Sequence, residues 1–122
     1  MSNEISHNST TTVSEENIAL AMGSGDLPVF ATPALVALME NASMLAAQQL
    51  CSDVETTVGA SIEVKHLLPS PIAATITATA ILTERDQRKL TFIITAHDGE
   101  YTVGTATHIR YIVNREKFMN KL

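Results

Sequence analysis

Thr32-Pro33-Ala34-Leu35-Val36-Ala37-Leu38-Met39-Glu40-Asn41-Ala42-Ser43-Met44-Leu45-Ala46-Ala47-Gln48-Gln49-Leu50 carries one charged side chain, Glu40. Apolar residues fall all round its helical wheel, so the stretch predicts a helix covered by protein on most sides. Thr32 is a good N-cap and Pro33 suits the first turn, where a missing N–H costs nothing. A carboxylate on a covered helix is costly unless it is paired, hydrogen-bonded or neutralised. Costly groups that persist often belong to a site. Glu40 is therefore the first candidate functional residue.

Downstream of Asp53 the period changes from helix to strand. Val58, Ala60, Ile62, Val64 and His66 alternate with Gly59, Ser61, Glu63, Lys65 and Leu67. Leu68-Pro69-Ser70-Pro71 breaks that run, and three more alternating runs follow, from Ala74, Leu90 and Val103. A turn at 84–88 and Asp98-Gly99 join them as hairpins. Arg115 to Asn120 predicts a terminal helical turn. Upstream, residues 1–10 read as a tail and Thr11–Val13 as a short strand. Ser14 reads as the cap of a helix over Glu15–Met22 that Gly23 and Gly25 stop. The sum is one α+β domain over residues 11–122: an antiparallel sheet of four strands whose apolar face meets helix 32–50.

Composition bounds the rest. The chain has 122 residues, enough for one core, and no Trp. Cys51 is the single cysteine, which excludes an intrachain disulfide and a cysteine-based metal site, and it reads as a small apolar residue. Residues 1–14 contain no Lys or Arg and no apolar run, so no secretory signal is expected, and a cytoplasmic protein is. The polar residues within and after helix 32–50 argue against a membrane span. Residues 1–64 hold eight acids and no Lys or Arg, whereas residues 65–122 hold all eight Lys and Arg. An acidic chain argues against a nucleic-acid partner. The basic half suits a small anionic ligand.

These motifs together resemble one known family. Thr32-Pro33-Ala34-Leu35-Val36-Ala37-Leu38-Met39-Glu40-Asn41-Ala42, Thr57 to Leu67, Arg88-Lys89-Leu90-Thr91-Phe92 and Gly104-Thr105-Ala106-Thr107-His108 resemble the hot-dog-fold thioesterases related to fluoroacetyl-CoA thioesterase. The resemblance covers roughly residues 11–118. It implies a long central helix wrapped by a curled antiparallel sheet. It also implies hydrolysis of acyl-CoA to free acid and CoA by homodimers with sites near the interface. The four His show no metal-ligand spacing and the chemistry needs no metal, so no cofactor is expected beyond the CoA thioester substrate. Residue by residue, the resemblance implies Thr32 as the active-site hydroxyl, Glu40 as the catalytic carboxylate, His66 as the catalytic histidine and Gly59 as the backbone that approaches the thioester carbonyl. It departs at Gly23-Ser24-Gly25-Asp26-Leu27-Pro28, where the aromatic lid of the fluoroacetyl enzyme has no equivalent.

The residues agree with that chemistry. Thioester hydrolysis needs a nucleophile or activated water, a proton shuttle and donors for an oxyanion. Glu40 fits either nucleophile or base. His66 shares parity with Val58 to Val64 and so faces the helix, where it can shuttle a proton or orient Glu40. Gly59 also suits a bulge. Lys65, Arg88, Lys89 and Arg110 are the candidates for the CoA phosphates. His97 and His108 have the opposite parity to the core-facing residues of their strands, although the two faces of strand 101–113 are mixed. Two alternatives use the same residues: a hot-dog hydratase or dehydratase, and a non-catalytic acyl-CoA-binding dimer. A sheet with a free edge predicts a two-fold homodimer or a dimer of dimers.

Overall fold

A computed structural model describes residues 4–122. Five strands form one antiparallel sheet: β1 (Ser6–Thr12), β2 (Glu55–His66), β3 (Thr75–Asp86), β4 (Lys89–His97) and β5 (Thr102–Asn114). Their spatial order is β1-β3-β4-β5-β2. Helix α1 (Ala19–Met22) is one turn, α2 (Thr32–Ala47) continues into a 3-10 turn over Gln48–Leu50, and α3 (Arg115–Asn120) closes the chain. The sheet curls around α2, which is the hot-dog arrangement.

The strand alternation reads directly as burial. Ile76, Ala78 and Ala80 of β3 and Leu90, Phe92, Ile94 and Ala96 of β4 point at α2 and are fully buried. The helix answers with Leu35, Leu38, Met39, Ala42, Ala46 and Ala47. Each large side chain in this layer contributes about 1.5–3 kcal/mol by leaving water. Gly104 sets how closely β5 approaches the helix. A Cβ there would lie 2.8 Å from Leu35 Cδ2 and 3.2 Å from Met39 Cε. Both atoms are the ends of buried side chains, so a Cβ there would require the layer to repack.

Several expectations are corrected. Within the tail expected over residues 1–10, Ser6–Thr10 instead joins Thr11 and Thr12 of the expected short strand in a fifth strand, paired in register from Ser6↔Ile81 to Thr12↔Thr75; residues 1–3 lie outside the described residues. Ser14 does not cap a helix over 15–22. Its own N–H donates to Asn17 Oδ1 at 2.8 Å, and the helix begins only at Ala19, held by an Ile18↔Phe30 bridge. Thr32 is not the N-cap of α2. Ala31 takes that position and Thr32 is the first helical residue.

In the single chain α2 buries one stripe rather than most sides. Val36, Glu40 and Met44, spaced four apart, form a half-buried line beside it. In β5 the inward face is Gly104, Ala106, His108, Arg110 and Ile112, so His108 points into the protein, against its expected parity, while His97 is exposed.

Candidate active site

Two constellations form along α2. The first is at its N-terminus. Because Thr32 is not the cap, its hydroxyl is free for another partner, and Thr32 Oγ1 lies 2.7 Å from His66 Nδ1 at the end of β2. Phe30 meets the imidazole edge-on, with ring centroids 6.5 Å apart. Burial pushes the His66 pKa below its ordinary value. The ring is therefore neutral at neutral pH, with one nitrogen as acceptor and the other as donor. Its Nε2 is buried without a hydrogen-bond partner among the described residues. Phe30, Thr32, His66, Leu67, Leu68 and Pro69 line a cavity of about 300 Å³ at this point.

The second constellation surrounds Glu40. The strand β2 carries a bulge: Gly59 pairs with Arg110, but Ser61 pairs with Ile109, which leaves Ala60 as the extra residue. The bulge flips parity, so Thr57 and Gly59 share the inner face with Ile62, Val64 and His66. The simple alternation expected across 58–66 breaks there. An added Cβ at Gly59 would sit 3.0 Å from Glu40 Oε2 and 3.3 Å from both Arg110 Nη1 and His108 Cε1.

Arg110, one of the candidates for the CoA phosphates, is buried at 6% exposure and turned inward. Its Nε donates to Thr57 Oγ1 at 2.8 Å and its Nη2 to the Thr57 carbonyl at 3.0 Å. Its Nη1 donates to His108 Nε2 at 3.1 Å and lies 3.8 Å from Glu40 Oε2. His108 Nδ1 is 2.7 Å from the Ser61 carbonyl. A carbonyl only accepts and a guanidinium only donates, so the His108 proton is on Nδ1 and its Nε2 is the acceptor. Burial, the larger cause, and the Arg110 charge both push the His108 pKa down, against the Ser61 hydrogen bond that raises it. Ser61, His108 and Thr57 thus fix the cation that faces Glu40.

The remaining expected residues lie elsewhere. Lys65 is exposed, with parity opposite to His66. Arg88 sits at the β3–β4 turn, 3.7 Å from Glu55, with Lys89 beside it. Cys51 packs against the core, and burial first, then Glu55, pushes its thiol pKa up. Glu40 lies eight residues beyond Thr32, about 12 Å along the helix. The single chain therefore joins Thr32 to His66, and Glu40 to Gly59, but does not bring the two pairs into contact.

The sequence reading missed the Arg110–His108–Thr57 support of Glu40. A His and an Arg two residues apart, sharing a strand face with Ala106 and Ile112, were the available signal.

Replacing Gly59 with Ala should displace Glu40 or Arg110 by a few tenths of an ångström. If these groups serve the hydrolysis that the family resemblance implies, its rate should fall by up to on the order of 10²-fold from misplacement alone. Steady-state kinetics beside an unchanged circular dichroism spectrum checks it.

The comparisons with known proteins meet this geometry. The model of the family described as fluoroacetyl-CoA-specific thioesterase matches residues 13–116. A fluoroacetyl-CoA thioesterase from Streptantibioticus cattleyicolor is 37% identical over 94 residues, covering 77% of this chain and 68% of that protein. A solved structure of a fluoroacetyl-CoA thioesterase superposes with a TM-score of 0.89 at 30% identity, covering 99% of this chain and 94% of that one. A thioesterase-superfamily member from Thermus thermophilus shares the fold, with a TM-score of 0.87 at 19% identity over 95% and 86% of the two chains. The chain belongs to the fluoroacetyl-CoA-specific thioesterase family.

Proposed function

We propose that this protein hydrolyses acyl-CoA thioesters, water and acyl-CoA giving a free acid and CoA, as a homodimer that uses Thr32, Glu40 and His66. The observation that carries the reading is the Thr32–His66 hydrogen bond of 2.7 Å on the wall of a cavity. A neutral imidazole held by a hydroxyl can take a proton from attacking water and then, as the imidazolium so formed, give it to the departing thiolate. Glu40 supplies the carboxylate that attacks or activates water, with Arg110 as its fixed counter-charge. Gly59 leaves the space in front of that carboxylate open to a substrate carbonyl.

The position of β2 supports the dimer. It ends the sheet next to Glu40, and the half-buried line Val36, Glu40, Met44 faces outward beside it. Edges of this kind are managed by pairing. Antiparallel pairing of two β2 strands about a two-fold axis sets Gly59 and Glu40 of one protomer beside Ile62–His66 of the other. That association supplies what a single chain lacks, a carboxylate approaching the Thr32–His66 pair across the interface.

Release of free thiol from short, branched, aromatic and long acyl-CoAs tests the activity, with light scattering on the same sample for assembly. We expect turnover of at least one member and the mass of two chains or four. Hydration of an enoyl-CoA without thiol release would instead support the hydratase reading, and a stable monomer would overturn the shared site.

A further inference from the structure

Six of the eight Lys and Arg residues, Arg85, Arg88, Lys89, Arg115, Lys117 and Lys121, sit at one end of the sheet, where the β3–β4 turn meets the end of β5 and α3. A backbone hydrogen bond of 2.9 Å from Ile112 N–H to the Arg88 carbonyl holds the turn there. The Arg88 Nη1 donates to the Ile112 carbonyl at 3.2 Å. The Asn114 side chain accepts from the Lys117 N–H at 3.0 Å and so fixes the start of α3. Between these elements lies a second cavity of about 300 Å³, separate from the one at Thr32. Arg88, Lys117 and Lys121 line it, with Asn114 and a half-buried Phe118, and Glu55 is its one carboxylate. Three cations against one acid favour an anion. Phe118 adds a flat apolar surface for an aromatic base, and Asn114 an amide for its edge.

We propose that this cavity binds the adenosine-bisphosphate end of the CoA substrate whose thioester is cleaved at the Thr32–His66 pair of the opposite protomer. The inference rests on the thioesterase reading above and adds where the nucleotide goes. Within one chain it cannot serve its own His66. Glu55 and His66 are the two ends of β2, separated by roughly 36 Å at the usual strand rise, beyond a pantetheine arm. Antiparallel pairing of β2 with its copy brings the Glu55 end of one strand to the His66 end of the other. The basic cavity of each protomer then lies at the mouth of its partner's site. This places Arg88 in the role expected from the sequence, adds Lys117 and Lys121, and removes Arg110.

The test uses the dimeric protein and two probes. Adenosine 3′,5′-bisphosphate is titrated calorimetrically into the wild type and into a Lys117→Ala/Lys121→Ala variant. Both lysines are exposed, so the variant should fold. We expect its affinity to fall by about tenfold or more, the loss expected for charge-assisted contacts. The KM for acyl-CoA should rise by a similar factor, with a smaller effect on the corresponding acyl-pantetheine, which lacks the nucleotide.

Mixed dimers test the crossing. A His66→Ala subunit paired with a Lys117→Ala/Lys121→Ala subunit should regain one site with wild-type KM. If thiol is released from acyl-CoA but the bisphosphate binds both proteins equally, or neither, the nucleotide site is overturned and the thioesterase reading stands. If the bisphosphate binds through the lysines but no acyl-CoA is cleaved, the thioesterase reading falls while the nucleotide site survives. If the mixed dimer keeps the raised KM, the crossing between protomers is wrong.

Discussion

Glu40→Gln should lower acyl-CoA hydrolysis by about two to four powers of ten, the range for removing a positioned acid, base or nucleophile. Gln keeps the size and the hydrogen-bonding reach of Glu40 and removes only its charge. The fold should tolerate the change. The Glu40 side chain is 43% exposed in the single chain and its gap to Arg110 is 3.8 Å, long for a charge-assisted hydrogen bond. Such a pair contributes about 0–1 kcal/mol, so Tm should move by no more than a few degrees. The remaining Arg110 keeps its donors to Thr57 and His108 and is not orphaned. Kinetics on the best acyl-CoA, with a melting curve for each protein, measures both. A Glu40→Gln protein that turns over at nearly the wild-type rate would remove Glu40 from the chemistry and favour the acyl-CoA-binding reading. One that melts far lower would make Glu40 a structural partner of Arg110.

How much of this was legible in sequence depends on the signal each element carries. Helix α2 and strands β2 to β5 announce themselves because their apolar residues recur at 3.6 or 2. Strand β1 does not. Ser6-His7-Asn8-Ser9-Thr10-Thr11-Thr12 has no apolar residue to alternate. Its buried member is Ser9, which is satisfied by donating its hydroxyl to Asn41 Oδ1 at 2.7 Å. It is a strand through its pairing with β3, from Ser6↔Ile81 to Thr12↔Thr75, a non-local cause that no short window displays. The bulge at Ala60 is hidden likewise. It shifts register without interrupting the alternation of residue types, so the inner faces of Gly59 and His66 looked opposite in parity when they are the same.

The site residues fall along the same divide. Glu40 stands out because a charge is conspicuous in an apolar helix. Thr32 and His66 were paired only through family resemblance, since 34 positions separate them. The support of Glu40 by Arg110 and His108 depends on which face of β5 is inward. That face mixes Gly104 and Ala106 with the larger Ile112, while the outer face also carries Ile109 and Tyr111. Hydropathy cannot rank two such faces. The close approach of Gly104 to Leu35 and Met39 decides it, and that is a packing fact.

His66→Ala should cost hydrolysis about as much as Glu40→Gln, again two to four powers of ten. The Glu40→Gln/His66→Ala double variant should be little slower than either alone, because residues that act as a unit lose their function together. The structure also makes Thr32 a cleaner probe than a capping residue would be. Ala31 is the N-cap and Thr32 makes no side-chain capping bond, so Thr32→Ala mainly removes the bond to His66 Nδ1. Activity should fall with little change in Tm, and Thr32→Ser should restore it.

The pH profile supplies the independent check. His66 must be neutral to accept a proton, and burial holds its pKa below the ordinary value of about 6.5. The wild-type kcat/KM should therefore hold from neutrality down through about pH 6.5 and fall only below it, and this acid limb should vanish in the residual activity of His66→Ala.

Stability follows the same direction. The unfolded chain protonates its histidines near pH 6.5, whereas folded His66 and His108 resist until lower pH, so the unfolded state binds more protons in that window. The stability tied to the neutral rings is complete above about pH 6.5 and is lost as pH falls towards the folded-state values. An acid limb that persisted unchanged in His66→Ala would assign the proton transfer to another group and leave His66 as a wall of the cavity.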